Sequence, residues 1–388
     1  MVNNIALFLN SLGSGGAERV VSRLSYELVK EYNLYIFLIE NEKQFYDCAG
    51  QIVVLGKNSK NYRVNALSAV LNINKQIENY NIDCVISFLD VPNIINSMFN
   101  TKSKKIISIR DYNEVLEKMD FVEKIKIMIC KSCFNRANAM ISVSKELNEK
   151  AIGWYKFDRK KAYTIENPYD IDEITEYANY EIETDILDFI QSHKTAVAVG
   201  RLNEQKGYED LLEIFDEVLK KCHNAGLIIL GEGKLKEILE SKIREKGLEE
   251  HIKLLGAKKN PFSYMSKCDV YVSASKHEGF PNTLVEAMAC GLPVIHTDCM
   301  TGPREIMSDN NIDIISDKQF LEYGVLVPSY TRGRITRTQM IDLYCEVWVD
   351  ILNRDALRQE YAGKSVKRAK FYNMIRCVEG YSNVINGN

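Results

Sequence analysis

The stretch Asp269–Asp298, DVYVSASKHEGFPNTLVEAMACGLPVIHTD, decides how the rest of the chain is read. Val270, Tyr271 and Val272 are β-branched or aromatic and run into small residues, the pattern of a buried strand opening into a loop. The loop is Ser275–Pro281. Asn282 or Thr283 then stands where a helix N-cap belongs, Leu284, Val285 and Met288 give apolar helical spacing, and Gly291 and Pro293 end it. Another strand, Pro293–His296, begins at once.

This strand, loop, helix, strand unit holds two carboxylates, Glu278 and Glu286, eight residues apart. Residues 279–282 extend by up to ~3.3 Å each, so the carboxylates can lie ~10 Å or more apart along one ligand, with free amides at a helix start between them. A nucleotide sugar has that layout. One carboxylate would take sugar hydroxyls and the other ribose hydroxyls. The backbone along Gly279, Phe280, Pro281, Asn282 and Thr283 would take the diphosphate. Spacing alone leaves open a plainer alternative, in which Glu286 is a first-turn acid favoured by the helix dipole and Glu278 a solvated loop residue. The wording EGFPNTLVEAMACGLPVI resembles the E-x7-E signature of glycosyltransferase family 4, retaining enzymes of the GT-B fold with two Rossmann-like domains. The resemblance implies that Glu278 meets the donor sugar and Glu286 the ribose.

At 388 residues the chain suits two domains of about 150–200 residues, and 46% hydrophobic residues can fill both cores. The net charge of −3 and a pI near 6.1 leave no electrostatic footprint for nucleic acid. The ten cysteines include one isolated C-x2-C, Cys130 and Cys133, with no second pair or histidine nearby, as expected of reduced cytosolic thiols. MVNNIALFLN lacks the basic start and long apolar region of a signal peptide, and no run approaches the ~18 apolar residues of a membrane span. The expectation is a cytoplasmic protein.

Ile5–Leu9 reads as a first buried strand running into SLGSGGAERVV, with Val20, Val21, Leu24 and Leu28 marking a helix face. Gly13, Gly15 and Gly16 let the backbone approach a ligand closely, and the helix start could face a phosphate. GGAERVV resembles the acceptor-side loop that opens many family 4 enzymes, which places Gly15 and Gly16 by the donor and Arg19 on the acceptor side. Apolar runs at Leu34–Ile39, Ile52–Leu55, Cys84–Phe88, Ile106–Ile109 and Ala139–Val143 alternate with helical segments, implying a parallel sheet with crossover helices. Ligand residues in such sheets follow the carboxyl ends of strands, which puts Asp90, Arg110 and Asp111 near a cleft; ordinary loop polarity is the alternative. Many relatives carry a histidine where this chain has Arg110, and all five histidines here lie at 193 or later. No histidine of the first half can act as base.

Residues 117–136 place Phe121, Val122, Ile125, Met128 and Ile129 on one helical face among Lys118, Lys124, Lys126, Lys131 and Arg136. They read as a helix packed on the sheet, or alternatively as one resting on anionic headgroups at the inner face of the membrane. IENP at Ile165–Pro168 closes the first domain, and 170–192 reads as an acidic connection. Its Asp170 and Asp172 form a D-x-D, discounted as a metal site because it falls at a hinge and because GT-B enzymes hold the diphosphate with cations and amides.

Thr195–Val199 restarts the strand pattern and leads into GRLNEQKGYEDLLEIF. Arg201 and Lys206 suit a diphosphate leaving group, whose charge grows as the sugar bond breaks, so fixed cations help most in the transition state. GRLxxxKG resembles the family motif with that role; a solvated surface pair is the alternative. Leu227–Leu230 with Gly231 and Gly233 repeats the strand and turn, and the resemblance puts Ala257 and Lys258 at the nucleobase. TGPREI matches the family again, placing Gly302, Pro303 and Arg304 at a helix start near the donor, and YGVLVP resembles its sequel. The last 30 residues read as helices, and AKFYNMIRCVEGYSNVI is amphipathic, as expected if a final helix crosses back to the first domain.

The expected fold is therefore α/β: GT-B, two Rossmann-like doubly wound domains facing a cleft. The expected division is 1–170 for the acceptor, 171–370 for the nucleotide sugar and 371–388 as the returning helix. The expected activity is retaining, metal-independent transfer of a hexose or N-acetylhexosamine from a UDP-linked donor, with Glu278, Arg201 and Lys206 as catalytic residues. A glycan or lipid-linked acceptor of an envelope pathway is the expected partner. A nucleotide-sugar epimerase on the same architecture and a non-catalytic sugar-nucleotide sensor are the competing readings.

Overall fold

The computed structural model describes residues 2–13, 15–41, 44–112, 121–310 and 313–387, and gives no side-chain placement for 121–127. The chain divides into two compact units, Met1–Pro168 with Met374–Asn388, and Tyr169–Asn373.

The first unit runs β1 (Asn4–Leu9), α1 (Gly16–Leu28), β2 (Asn33–Leu38), β3 (Gln51–Val54), α2 (Tyr62–Asn79), β4 (Cys84–Phe88), α3 (Asp90–Phe99), β5 (Lys104–Ile109), α4 (Phe121–Phe134), β6 (Ala139–Ser142), α5 (Lys145–Tyr155) and β7 (Ala162–Thr164). Its strands pair in the order β3-β2-β1-β4-β5-β6-β7, all parallel. Successive residues of β1 feed opposite layers, as the strand period requires. Ile5, Leu7 and Leu9 pack with Val20, Val21, Leu24 and Leu28 of α1, while Ala6 and Phe8 pack with Ala69, Ile73 and Ile77 of α2.

The second unit runs α6 (Ile171–Ala178), α7 (Thr184–Ser192), β8 (Lys194–Val199), α8 (Tyr208–Lys221), β9 (Ala225–Leu230), α9 (Lys236–Glu245), β10 (Ile252–Leu254), α10 (Phe262–Met265), β11 (Val270–Ser273), α11 (Asn282–Ala289), β12 (Val294–Asp298), α12 (Pro303–Met307), β13 (Gln319–Phe320), β14 (Val325–Pro328), α13 (Arg337–Asn353) and α14 (Asp355–Ala369). The strand order is β10-β9-β8-β11-β12-β14-β13, parallel except for β13 on β14. A last helix, α15 (Met374–Asn386), belongs to the first unit, where Cys377, Tyr381, Val384 and Ile385 join the layer of α1.

Two expectations need correction. Residues 170–192 are no mere connection: they form α6 and α7, which bury Ile174, Ile186, Phe189 and Ile190. Asp170 of the D-x-D caps α6, its carboxylate accepting from the Glu173 amide at 2.9 Å. In the 117–136 segment, Glu117–Asp120 lie outside the described residues, as do the side chains of Phe121, Val122, Lys124, Ile125 and Lys126. The described end of α4 turns Cys130, Cys133 and Phe134 inward and leaves Met128 and Ile129 exposed, the reverse of the packed face expected for those two. All ten cysteines are free. No helix among the described residues is long and apolar enough to cross a membrane.

Candidate active site

Strand order reverses between β8 and β11, and ligand crevices of open α/β sheets form outside the carboxyl ends of strands at such a point. The loops leaving these two strands carry the GRLNEQKG and HEGFPN sequences. Gly207 lets them close on one another: its φ is +65°, and a Cβ there would fall 2.1 Å from the Ala274 carbonyl oxygen. Gln205 stitches the loops together, its side-chain amide donating to the His277 carbonyl at 3.0 Å and its carbonyl accepting from the Lys276 amide at 2.8 Å. The outcome is an ion pair, Lys206 Nζ to Glu278 Oε1 at 2.7 Å, with the two side chains 18% and 7% exposed.

Burial pushes the Glu278 carboxyl up, but the charge and hydrogen bond of Lys206, with His296 and the Ser275 hydroxyl, outweigh it and hold the group below its ordinary value. His296, on β12 and fully buried, is driven down to about 4 by that burial, against the Thr297 carbonyl and Glu278, so it is neutral at neutral pH. Its Nδ1 lies 2.8 Å from the Thr297 carbonyl, and its Nε2 has no partner among the described residues. Lys206 is therefore the cation that keeps Glu278 ionised.

Thr301, also buried, pins the backbone of the Glu278 loop. Its hydroxyl donates to the Glu278 and Gly279 carbonyls at 2.8 and 2.9 Å, and its amide donates to the Glu278 carbonyl at 2.7 Å. The Glu278 amide in turn donates to the Met300 carbonyl. Phe280 packs edge-on against Tyr372 at 5.4 Å.

The helix that follows starts differently from expectation. Pro281 occupies the N-cap position and no side chain caps it. The Asn282 side-chain oxygen Oδ1 accepts instead from the Tyr169 hydroxyl at 2.6 Å, and the Thr283 hydroxyl meets that of Tyr271 at 2.8 Å. Glu286 lies beyond the first turn and is 1% exposed, so it is no dipole-favoured surface acid.

The remaining expected residues have varied surroundings. Arg201 is exposed at the exit of β8, and Ala257 is exposed after β10. Lys258 donates to Glu183 at 2.7 Å and lies 5.1 Å from the Tyr264 ring centre; its bond and that of Tyr264 pull the Glu183 carboxyl down to about 2. Arg304 sits 2.9 Å from the fully buried Asp298, which Arg332 also approaches. In the first unit, Gly15 and Gly16 open α1 with Arg19 one turn on, and Asp90 opens α3. Arg110 follows β5, donating to Ser108 and Tyr381 hydroxyls at 3.3 Å each and to the Asn167 side chain, with Phe88 beneath it at 5.6 Å. Asp111 is exposed beside it. Sequence reading missed the roles of Thr301, His296, Tyr169 and Gln205; all but Tyr169 lay inside stretches already singled out.

Two doubly wound sheets, with a buried charged pair beside the β8–β11 switch point, are the architecture to set beside known proteins. Anabaena HepE, solved with UDP and glucose, shares the fold with a TM-score of 0.76 over all of both chains at 15% identity. Residues 180–328 match the model of glycosyl transferases group 1. An uncharacterized glycosyltransferase of Methanocaldococcus jannaschii is 30% identical over 359 residues, covering 87% of this chain and 88% of that one. The N-acetylgalactosamine-N,N'-diacetylbacillosaminyl-diphospho-undecaprenol 4-alpha-N-acetylgalactosaminyltransferase of Campylobacter jejuni is 29% identical over 97% of both chains. The chain belongs to the group 1 glycosyl transferases and has the GT-B fold.

Proposed function

We propose that this glycosyltransferase is a retaining family 4 enzyme that moves an N-acetylhexosamine or hexose from a UDP-linked donor to a lipid-linked or glycan acceptor in envelope glycan synthesis, without a metal. The observation that carries the reading is the Lys206–Glu278 pair at 2.7 Å, which brings a cation and a carboxylate together where two strand exits meet. As the bond between the sugar's C1 and the diphosphate oxygen breaks, Arg201 and Lys206 stabilise the charge gained by the leaving phosphate. Glu278 holds the sugar. The acceptor hydroxyl attacks C1 from the face the phosphate leaves, and its proton passes to a phosphate oxygen, so the anomeric configuration is kept. Glu286 takes the ribose, Ala257 and Lys258 the base, and the Gly279–Thr283 backbone the phosphates. Arg19, Asp90, Arg110 and Asp111 serve the acceptor. The name of the Campylobacter relative supports N-acetylgalactosamine and a diphospho-undecaprenol acceptor as the first substrates to try, and such an acceptor places the enzyme at the inner membrane face.

The test is UDP release from UDP-N-acetylgalactosamine, UDP-N-acetylglucosamine and UDP-glucose with an undecaprenyl-diphosphate-linked acceptor, followed by NMR of the product's anomeric centre. Retained configuration and undiminished rate in EDTA are expected. Isomerised sugar from donor alone would replace the proposal with an epimerase. Donor binding without UDP release from any acceptor would make the protein a sensor, and loss in EDTA restored by magnesium would overturn metal independence.

A further inference from the structure

Helix α2 presents a second row of aliphatic side chains outward, opposite the Ala69, Ile73 and Ile77 that it packs on the sheet. Val64, Leu67 and Leu71, spaced to form one ridge, are 40%, 66% and 78% exposed, whereas Asn65 and Ser68 are buried. Named bonds fix this orientation. The Asn65 amide nitrogen donates to Glu40 at 2.9 Å and to the Ser59 carbonyl at 2.7 Å, and its oxygen accepts from the Ser59 amide. Ser68 and Asn72 both donate to the Leu55 carbonyl at 3.0 Å. Rolling the helix to bury the leucines would break these bonds and lift Ala69, Ile73 and Ile77 from the sheet. At its far end Asn74 donates to the Phe99 carbonyl at 2.7 Å, which adds the part-exposed Phe99 ring to the same region.

The ridge lies in a basic stretch. From Cys48 to Ile77 the chain holds Lys57, Lys60, Arg63 and Lys75 and no Asp or Glu, against a net charge of −3 overall. All four cations are exposed, and the next carboxylate, Glu78, is paired with Lys102 at 3.0 Å. A second copy docking symmetrically on this face would set cations against cations. An exposed aliphatic ridge with cations before it, at its start and at its end matches an anionic bilayer, whose acyl boundary takes the aliphatics while the headgroups meet the charges. We propose that the outer face of α2 docks on an anionic phospholipid surface. The inference does not depend on the transferase reading, and the exposed Met128 and Ile129 belong to a different helix, α4.

The test is sedimentation of the full chain with vesicles of phosphatidylcholine alone or with phosphatidylglycerol. Binding to the phosphatidylglycerol vesicles that fades as salt is raised is expected, because exposed charges are screened. Leu67→Gln with Leu71→Gln should cut the bound fraction about tenfold, and Lys57→Gln, Lys60→Gln and Arg63→Gln together should do the same at low salt. Both variants should keep the wild-type melting temperature, since every changed side chain points outward; if the leucine variant melts early, the charge variant decides. Wild type that ignores phosphatidylglycerol vesicles would overturn the proposal. So would unchanged binding by both variants, loss of binding on Met128→Gln with Ile129→Gln alone, or a wild-type dimer that the leucine variant dissociates.

Discussion

Arg110 and Lys206 each lie on a loop that leaves a strand of a doubly wound sheet, yet their surroundings differ. Lys206 meets a buried carboxylate at 2.7 Å on a loop stitched to its own by Gln205. Among the described residues, Arg110 is held by the neutral oxygens of Ser108, Tyr381 and Asn167. Opposite charges locked together describe a site whose chemistry is set before a ligand arrives. A cation held by neutral groups keeps its charge for whatever binds, so the second unit is expected to tolerate little change and the first to tune selectivity.

The sharpest way to break this comparison is to remove one member of the pair. Lys206→Ala or Glu278→Ala leaves the other charge buried and should cost about 3–5 kcal/mol of stability, with turnover down ~10³. The double variant should melt higher than the two single losses added together, because neither charge is then stranded. Wild-type turnover in both single variants would end the assignment. His296 sharpens the same point through pH. The folded protein holds it neutral down to about 4 against 6.5 for the ordinary group, so the unfolded chain takes up the proton first and stability falls as pH drops through that window. His296→Gln should remove about 3 kcal/mol of that loss, read as a flatter plot of melting temperature against pH. An unchanged slope would mean the imidazole is not desolvated.

Arg201 is exposed, so Arg201→Ala should leave melting unchanged while lowering turnover ~10² with little effect on donor KM. Glu286→Ala should weaken UDP binding about tenfold by calorimetry and affect turnover at saturating donor far less, since ribose contacts serve ground and transition states alike. Equal losses of UDP affinity in the Glu278 and Glu286 variants would erase the division of labour. The smallest effect is expected in the first unit: Arg110→Gln should raise the acceptor KM about fivefold and leave UDP affinity alone. If UDP affinity falls as well, Arg110 serves the donor and the contrast between the two sheets is lost.

Strand periodicity carried most of the architecture, because runs such as Ile5–Leu9 and Cys84–Phe88 are buried on both faces and read as unbroken apolar segments. The two charged loops were legible for a similar reason, since glycine, cation and carboxylate all fall within short motifs. What sequence hid depended on distant partners. Asn282 and Thr283 look like helix caps, but Tyr169 lies 113 residues before Asn282 and claims its oxygen, while Tyr271 meets Thr283. His296 reads as one residue of an apolar strand until its neighbour Glu278 is known. Residues 170–192 did carry a helical signal in the spacing of Ile186, Phe189 and Ile190, masked by their acidic surroundings.

The return of the chain to its first unit has a consequence for the order in which the molecule can be made. Tyr169–Asn373 is one uninterrupted stretch, so its core is complete once those residues have been synthesised. The first unit, begun earlier, must wait for Cys377, Tyr381, Val384 and Ile385 before the α1 side of its sheet is closed. Domains fold as units during synthesis, so the half that leaves the ribosome first is the half that finishes last, holding an apolar face open while the rest of the enzyme is being translated.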